Sequence, residues 1–250
     1  MARNFATADF LSFGDITILD DLAALSTTFW VKLDTTTADA RFVGKGGNSD
    51  TTQSLICTVD GTTNQLRIII SQGLNKRWVA DTPTDTLSTG VWTHVAMVWS
   101  GGNSGAIYKD AVSQTLSNIL AETPLSINNT ARLFRIGADE DTAGVDGDMA
   151  EVGIWNRALT VGEVTSIMRA GPMRHASGLI FYVPILGASP EPDYGGSVLS
   201  GTVTGTTIVD HPPVAPMFGV DFGWAGAFTV AAAANPTYQP WYHRAPVLAQ

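Results

Sequence analysis

The chain of 250 residues is 44% hydrophobic and only 15% charged, long enough to hide roughly 70 to 75% of its unfolded surface in one core. A formal charge of -9 excludes sequence-independent binding to nucleic acid, because the phosphate backbone would be repelled rather than neutralised. A lone cysteine, Cys57, excludes an internal disulfide, and the opening MARNFATADF lacks the apolar core of a secretory signal, so synthesis in a reducing cytoplasm is expected.

In chain order, the segments 10–13, 28–33, 41–44, 54–59 and 65–70 are rich in aromatic and β-branched residues and have the length of strands. Turn chemistry separates them at Gly46-Gly47-Asn48, Asp60-Gly61 and Gly73. Residues 91–99 and 106–110 form a further pair, joined through the hairpin loop GGNSG at 101–105. Alternation places Trp92, His94, Ala96 and Val98 on one face and Val95, Met97 and Trp99 on the other. Both faces are mostly apolar, as in a strand in the middle of a sandwich. His94 is then a core histidine whose ring nitrogens require partners.

Two more strands fall at 132–137 and 149–155, and helical grammar follows once. Thr160 and Glu163 have capping-box spacing, Val164, Ile167 and Met168 recur on one helical face, and Gly171-Pro172 stops the run, which predicts a helix over 161–170. A closing strand is expected at 179–186, with Pro184 marking an edge or a strand end.

After residue 187 the composition changes. Eight of the twelve prolines lie in 188–250, with no lysine, the single arginine Arg244, and eight aromatic residues. Disordered tails are usually charged and poor in aromatics. The division expected is therefore a domain at 1–187 and an extended arm at 188–250 that adheres either to its own sandwich or to a neighbouring chain. Phe218, Phe222, Trp224, Phe228, Tyr238, Trp241 and Tyr242 are the candidate partner contacts, because buried aromatic anchors dominate interface energetics. The weakly polar run 227–234 is far short of the roughly 20 residues that span a bilayer, so no membrane partner is expected.

The segments RNFATADFLSFGD (3–15), TFWVKLD (28–34), GVWTHVAMVWSG (90–101), FRIGADED (134–141) and DGDMAEVGIWNRALTVGEV (146–164) resemble laminin G-like, concanavalin A-type domains. The resemblance implies an all-β antiparallel jelly-roll sandwich with one short helix and a ligand-capable face or rim. The tail segments SPEPDYGG, GTVTGTTIVDHPP and FGVDFGWAGAF are similar to such domains in tailed-bacteriophage virions. That similarity implies a non-enzymatic capsid decoration or cement subunit of the virion. It would be homo-oligomeric, a trimer by analogy, and would contact the major capsid protein or other virion subunits. The alternative is a glycan-binding adhesion module, calcium-assisted or not; a β-glucan hydrolase is least favoured.

The acids between residues 139 and 151 are the candidate chemistry. Asp139, Asp141 and Asp148 could supply oxygens to calcium, the one cofactor considered. The spacing is not that of an EF-hand, since Ala143 and Ala150 stand at the fifth and twelfth positions counted from Asp139. Ala150 also occupies a place where the similar family often has an aspartate. Asp146, Asp148 and Glu151 resemble the carboxylate spacing of laminarinase-like glucanases, but strand alternation sends Glu151 to the opposite face unless a bulge intervenes. No zinc pattern connects His94, His175, His211 and His243. Trp92, Trp99 and Trp155 read as core, whereas Trp78, flanked by polar residues in NKRWVAD, is the candidate exposed ring for stacking on a sugar.

Overall fold

The computed structural model describes residues 1–35, 40–47, 49, 51–60, 63–141, 144–197 and 199–214. Its strands, in chain order, are β1 (Ala2–Phe5), β2 (Phe10–Ser12), β3 (Leu25–Leu33), β4 (Ala40–Lys45), β5 (Leu55–Asp60) and β6 (Gln65–Ser71). Next come β7 (Arg77–Asp81), β8 (Thr93–Gly101), β9 (Ser104–Lys109), β10 (Val112–Ser113), β11 (Ser117–Ala121) and β12 (Phe134–Ile136). The helix α1 (Val161–Ala170) follows β13 (Gly147–Trp155) and precedes β14 (Leu179–Val183), β15 (Glu191–Pro192), β16 (Ser200–Thr204) and β17 (Thr207–Val209).

These strands form two antiparallel sheets. The first runs β10-β9-β8-β3-β13-β1-β17, with β14 also pairing to β13; the second runs β11-β7-β6-β5-β4-β12-β2-β16-β15. Alternating apolar residues from both sheets meet in one core. There Phe13, Phe134 and Phe181 interlock at centroid separations of 4.9 to 6.1 Å, and Phe29 meets Phe42 at 5.1 Å. Burying each such ring stabilises the fold by about 1.5 to 3 kcal/mol relative to leaving it exposed.

The two apolar faces of β8 have separate uses. Val95, Met97 and Trp99 enter the inter-sheet core, while Ala96 and Val98 on the outer face pack with Trp155, Leu159, Val164 and Ile167 beneath α1. The helix starts where its sequence says it should. Thr160 Oγ1 accepts from Glu163 N at 3.3 Å and Thr160 N donates to Glu163 Oε2 at 2.8 Å. Arg157 forms a two-pronged bridge to the same carboxylate, at 2.7 and 3.0 Å, and with the Thr160 donors holds it down to about 2. At the other end Gly171 adopts φ 78°, a conformation glycine takes at little cost, and donates its N–H to Ile167 O.

The sandwich does not end at residue 187. β16 pairs with β2 and β17 pairs with β1, so part of the expected arm belongs to both sheets. A buried ion pair explains why this proline- and glycine-rich stretch returns: Arg3 Nε lies 2.7 Å from Glu191 Oε1, and the same guanidinium donates to Thr206 Oγ1 and the Ala188 carbonyl. Pro192 sits in β15, at the edge of its sheet, where its missing N–H is tolerated. β14 stops one residue before Pro184.

At one rim Lys45 turns inward from the end of β4. Its fully buried ammonium is 2.6 Å from Asp20 Oδ1 and 2.8 Å from Asp15 Oδ1, and it donates to the Ile16 carbonyl at 3.2 Å.

Candidate functional site

The acidic stretch that drew attention in the sequence is built around β13. Along one edge β13 pairs first with β1 and then with β14, and its register to β3 slips between Ala150 and Gly153. Glu151 occupies this bulge at φ 56°. The bulge turns its side chain to the outer side of the sheet, where Tyr182 OH donates to Oε2 at 2.6 Å and His211 Nε2 lies 2.9 Å from Oε1. Burial, then the Glu151 charge and hydrogen bond, push the Tyr182 phenol well above its usual range. Asp148 is tied elsewhere, with Lys32 Nζ at 2.6 Å and Asn4 Nδ2 at 2.8 Å, and Asp146 accepts from Thr35 Oγ1. The three acids spaced like a glucanase motif are thus each committed to separate partners.

The candidate calcium ligands do not converge. Asp139 is 1% exposed, its Oδ2 accepting from Arg41 Nε at 3.0 Å and its Oδ1 from Asp141 N at 2.9 Å. Asp141 faces Arg132 at 2.8 Å, and Asp148 belongs to the other sheet. Arginine and lysine heads stand where a cation would have to sit. Among the described residues, no group of three or more acids, histidines or cysteines is arranged to hold a metal. These side chains do not fit a calcium site.

Trp78 is a second correction. It is 1% exposed and points into the core, with its Nε1 donating to Asn118 Oδ1 at 2.9 Å. Polar neighbours misled the reading because alternation sends Arg77 and Val79 outward while Trp78 between them goes inward. His94 is buried as expected, stacked edge-on against Trp30, but its Nδ1 has no hydrogen-bond partner and burial pushes the imidazole down to about 3. Phe218, Phe222, Trp224, Phe228, Tyr238, Trp241 and Tyr242 lie outside the described residues.

What the sequence did not single out is the outer face of the second sheet. Leu11, Phe134 and Ile136 point into the core, so their neighbours Phe10, Ser12 and Arg135 point out. The register aligns Arg135 with Ser12, Ser12 with Thr202, and Phe10 with Thr204. The strip is partly open to solvent: Phe10, Ser12 and Arg135 are half-buried, and Thr202 and Thr204 are exposed. The Arg135 guanidinium lies over the Phe10 ring at 4.1 Å and donates from Nη1 to the Asp139 carbonyl at 2.8 Å, while its Nε is buried without a partner. On β4 the neighbour of Arg135 is Gly44, and a Cβ there would lie 3.1 Å from the Cβ of Asp139. The lack of a side chain lets the loop bearing Asp139 close over the sheet. Further along the same face, Arg41 pairs with Asp139, and Arg67 with Asp81 at 2.7 Å. A hydroxyl-lined strip with one ring and one guanidinium can hydrogen-bond and pack against a polyhydroxylated ligand.

Two antiparallel sheets packed face to face, with the capped helix α1 on the outer side of the first, form a jelly-roll sandwich. The chain belongs to the concanavalin A-like lectin/glucanases superfamily, whose laminin G-type family model matches residues 5–165. Among solved structures it resembles a candidate carbohydrate-binding protein from Bacteroides ovatus, with a TM-score of 0.62 and 18% identity over 86% of this chain. The chain spans 61% of the length of that protein. It also resembles the heptameric SAP-like pentraxin of Limulus polyphemus, with a TM-score of 0.52 and 15% identity, covering 82% of this chain and 93% of the pentraxin. At these identities the likeness concerns the fold. No curated protein is similar enough in sequence to count as a relative.

Proposed function

We propose that the protein is a non-catalytic glycan-binding domain whose binding surface is the strip formed by Phe10, Ser12, Arg135, Thr202 and Thr204. The carrying observation is that this strip offers hydroxyls beside a guanidinium that lies over a ring, half open to solvent, while the acids of the glucanase-like spacing are each held by other side chains. Membership of a lectin and glucanase superfamily, and likeness in fold to a protein described as carbohydrate-binding, support the reading. The test is a glycan array with the wild-type chain and the Ser12→Arg, Thr202→Arg double variant, which blocks the strip at exposed or half-exposed positions. Glycan signal in the wild type, lost in the variant with the melting temperature unchanged, is the expected result. Signal that survives the variant removes the strip, and a wild type that binds no glycan removes the function.

A specific feature of the sequence favours a setting for this domain. The segment 215–250 carries seven aromatic residues, no lysine and one arginine. We read it as the attachment of a glycan-binding head to a tailed-phage virion, with the chain as one subunit of a homo-oligomer. Deleting 218–250 should abolish incorporation into particles and leave glycan binding intact; normal incorporation sinks the attachment role.

A further inference from the structure

Among the described residues, the arginines follow a rule with one exception. Arg3 is paired with Glu191, Arg41 with Asp139, Arg67 with Asp81, Arg77 with Glu122, Arg132 with Glu140 and Asp141, and Arg157 with Glu163. Arg169 and Arg174 are exposed, where water compensates the charge. Arg135 is half-buried, yet its acceptor is a peptide carbonyl rather than a carboxylate; its buried Nε has no acceptor, a feature it shares with Arg132. Leaving a partly desolvated guanidinium without an acid costs free energy, and a chain with 23 acidic residues has no shortage of acids to place beside it.

The geometry around Arg135 keeps it available. Its central carbon lies 4.1 Å from the centroid of the Phe10 ring, and its strand neighbours are Gly44 and Ser12, one without a side chain and one with a short hydroxyl. The carboxylate of Asp139, the residue whose carbonyl Arg135 meets, is taken by Arg41 and by Asp141 N. A guanidinium beside hydroxyl-bearing strands is matched by a carboxylate, to which its two terminal nitrogens can each give an N–H···O bond, Nη1 keeping one hydrogen for the Asp139 carbonyl.

Resting on the glycan-binding reading of the strip, we infer that its ligand is an acidic saccharide, one whose carboxylate is received by Arg135 while Ser12 and Thr202 bind neighbouring hydroxyls. A uronic acid and a sialic acid share this chemistry, and the test separates them.

Full-length protein is titrated calorimetrically with trigalacturonate and with its methyl ester, and in parallel with 3′-sialyllactose and lactose. Whichever acid is the ligand should bind about tenfold or more tightly than its neutral counterpart, the scale expected of a charge-assisted bidentate bond. Arg135→Gln should abolish that preference, the acid and its neutral counterpart then binding alike, and Arg135→Lys should restore only part of it. Equal affinity for the acid and neutral members of both pairs overturns the inference and leaves glycan binding standing. A wild type silent on the glycan array and to all four sugars overturns both. Sodium acetate that competes as well as the acidic sugar reduces Arg135 to a general anion site and also overturns the inference. Because the wild-type comparison of acid with neutral sugar decides the matter, a folding defect in either variant does not obscure it.

Discussion

His211 Nε2 lies 2.9 Å from Glu151 Oε1, joining residues 60 positions apart across the outer side of the first sheet. The contact fastens the segment after β17 onto the bulge of β13, and Val214, three residues further on, packs with Ala2, Trp30 and Ala150. β17 has only three residues and lies at the sheet edge, so the hydrogen bonds of its own ladder are few. His211→Ala should therefore cost about 1 to 3 kcal/mol, because it leaves Glu151 short of a partner in a buried place. Hydrogen exchange is the informative readout: amides of Thr207–Val209 should lose protection while those of β3 keep theirs. Unchanged protection at β17 would show that the strand holds itself.

His94 gives a pH dependence with a definite sign. In the unfolded chain the imidazole takes up a proton near 6.5, whereas burial pushes the folded value down to about 3. Between these values the unfolded state binds more protons, so stability falls as pH falls, by about 1.4 kcal/mol per pH unit from this group. Urea unfolding at neutral pH and at a pH of about 4 should show His94→Leu losing less stability on acidification than the wild type. Parallel losses in the two proteins would mean that the ring is hydrated or partnered in solution.

The Arg157–Glu163–Thr160 cluster sets where α1 begins. The folded Glu163 carboxyl, held down to about 2, contributes stability above its ordinary value near 4.5 that is lost as pH falls through about 2. The cap should thus persist in mild acid. Thr160→Ala should destabilise the protein by about 1 kcal/mol and Glu163→Gln by at least as much, since the amide can still accept from Thr160 N but loses the two-pronged bridge to Arg157. Thermal melts of the two variants check the order.

No calcium dependence is expected. A ligand bound only by the folded state raises apparent stability, so melting temperatures in EDTA and in excess calcium should coincide. A rise with calcium would require a ligand set other than Asp139, Asp141 and Asp148, whose oxygens already receive Arg41, Arg132 and Lys32.

Much of the architecture was legible in the sequence because it is carried by local periodicity. The double apolar face of β8, the capping box at Thr160 and the stop at Gly171 are all written within a few residues of where they act. The errors share a different origin. The polar neighbours of Trp78 do not report its burial, because in a strand adjacent residues face opposite ways. The slip at Glu151 adds one residue to a strand, a shift that no two-residue period announces, and it follows the change of partner from β1 to β14. The strands of 191–209 owe their place to Arg3, 188 positions from Glu191, and composition alone does not encode such a partner. The strip at Arg135 was missed for the same reason: it is assembled from β2, β12 and β16, three short strands distant in sequence.

The inward turn of Lys45 bears on how the rim behaves in different solutions. The loop from Asp15 to Asp20 is gathered around a positive charge that belongs to the chain itself, so its order does not depend on the supply of a dissolved ion. A tethered counter-ion cannot be chelated, diluted away or exchanged for a competitor. Removing it by Lys45→Met would leave two carboxylates and a carbonyl converging on nothing, at a cost of about 3 to 5 kcal/mol if both acids stay buried and less as Asp15 swings out to water. Screening by salt then reaches the Asp15 carboxylate, which is 34% exposed, more than that of Asp20, at 8%.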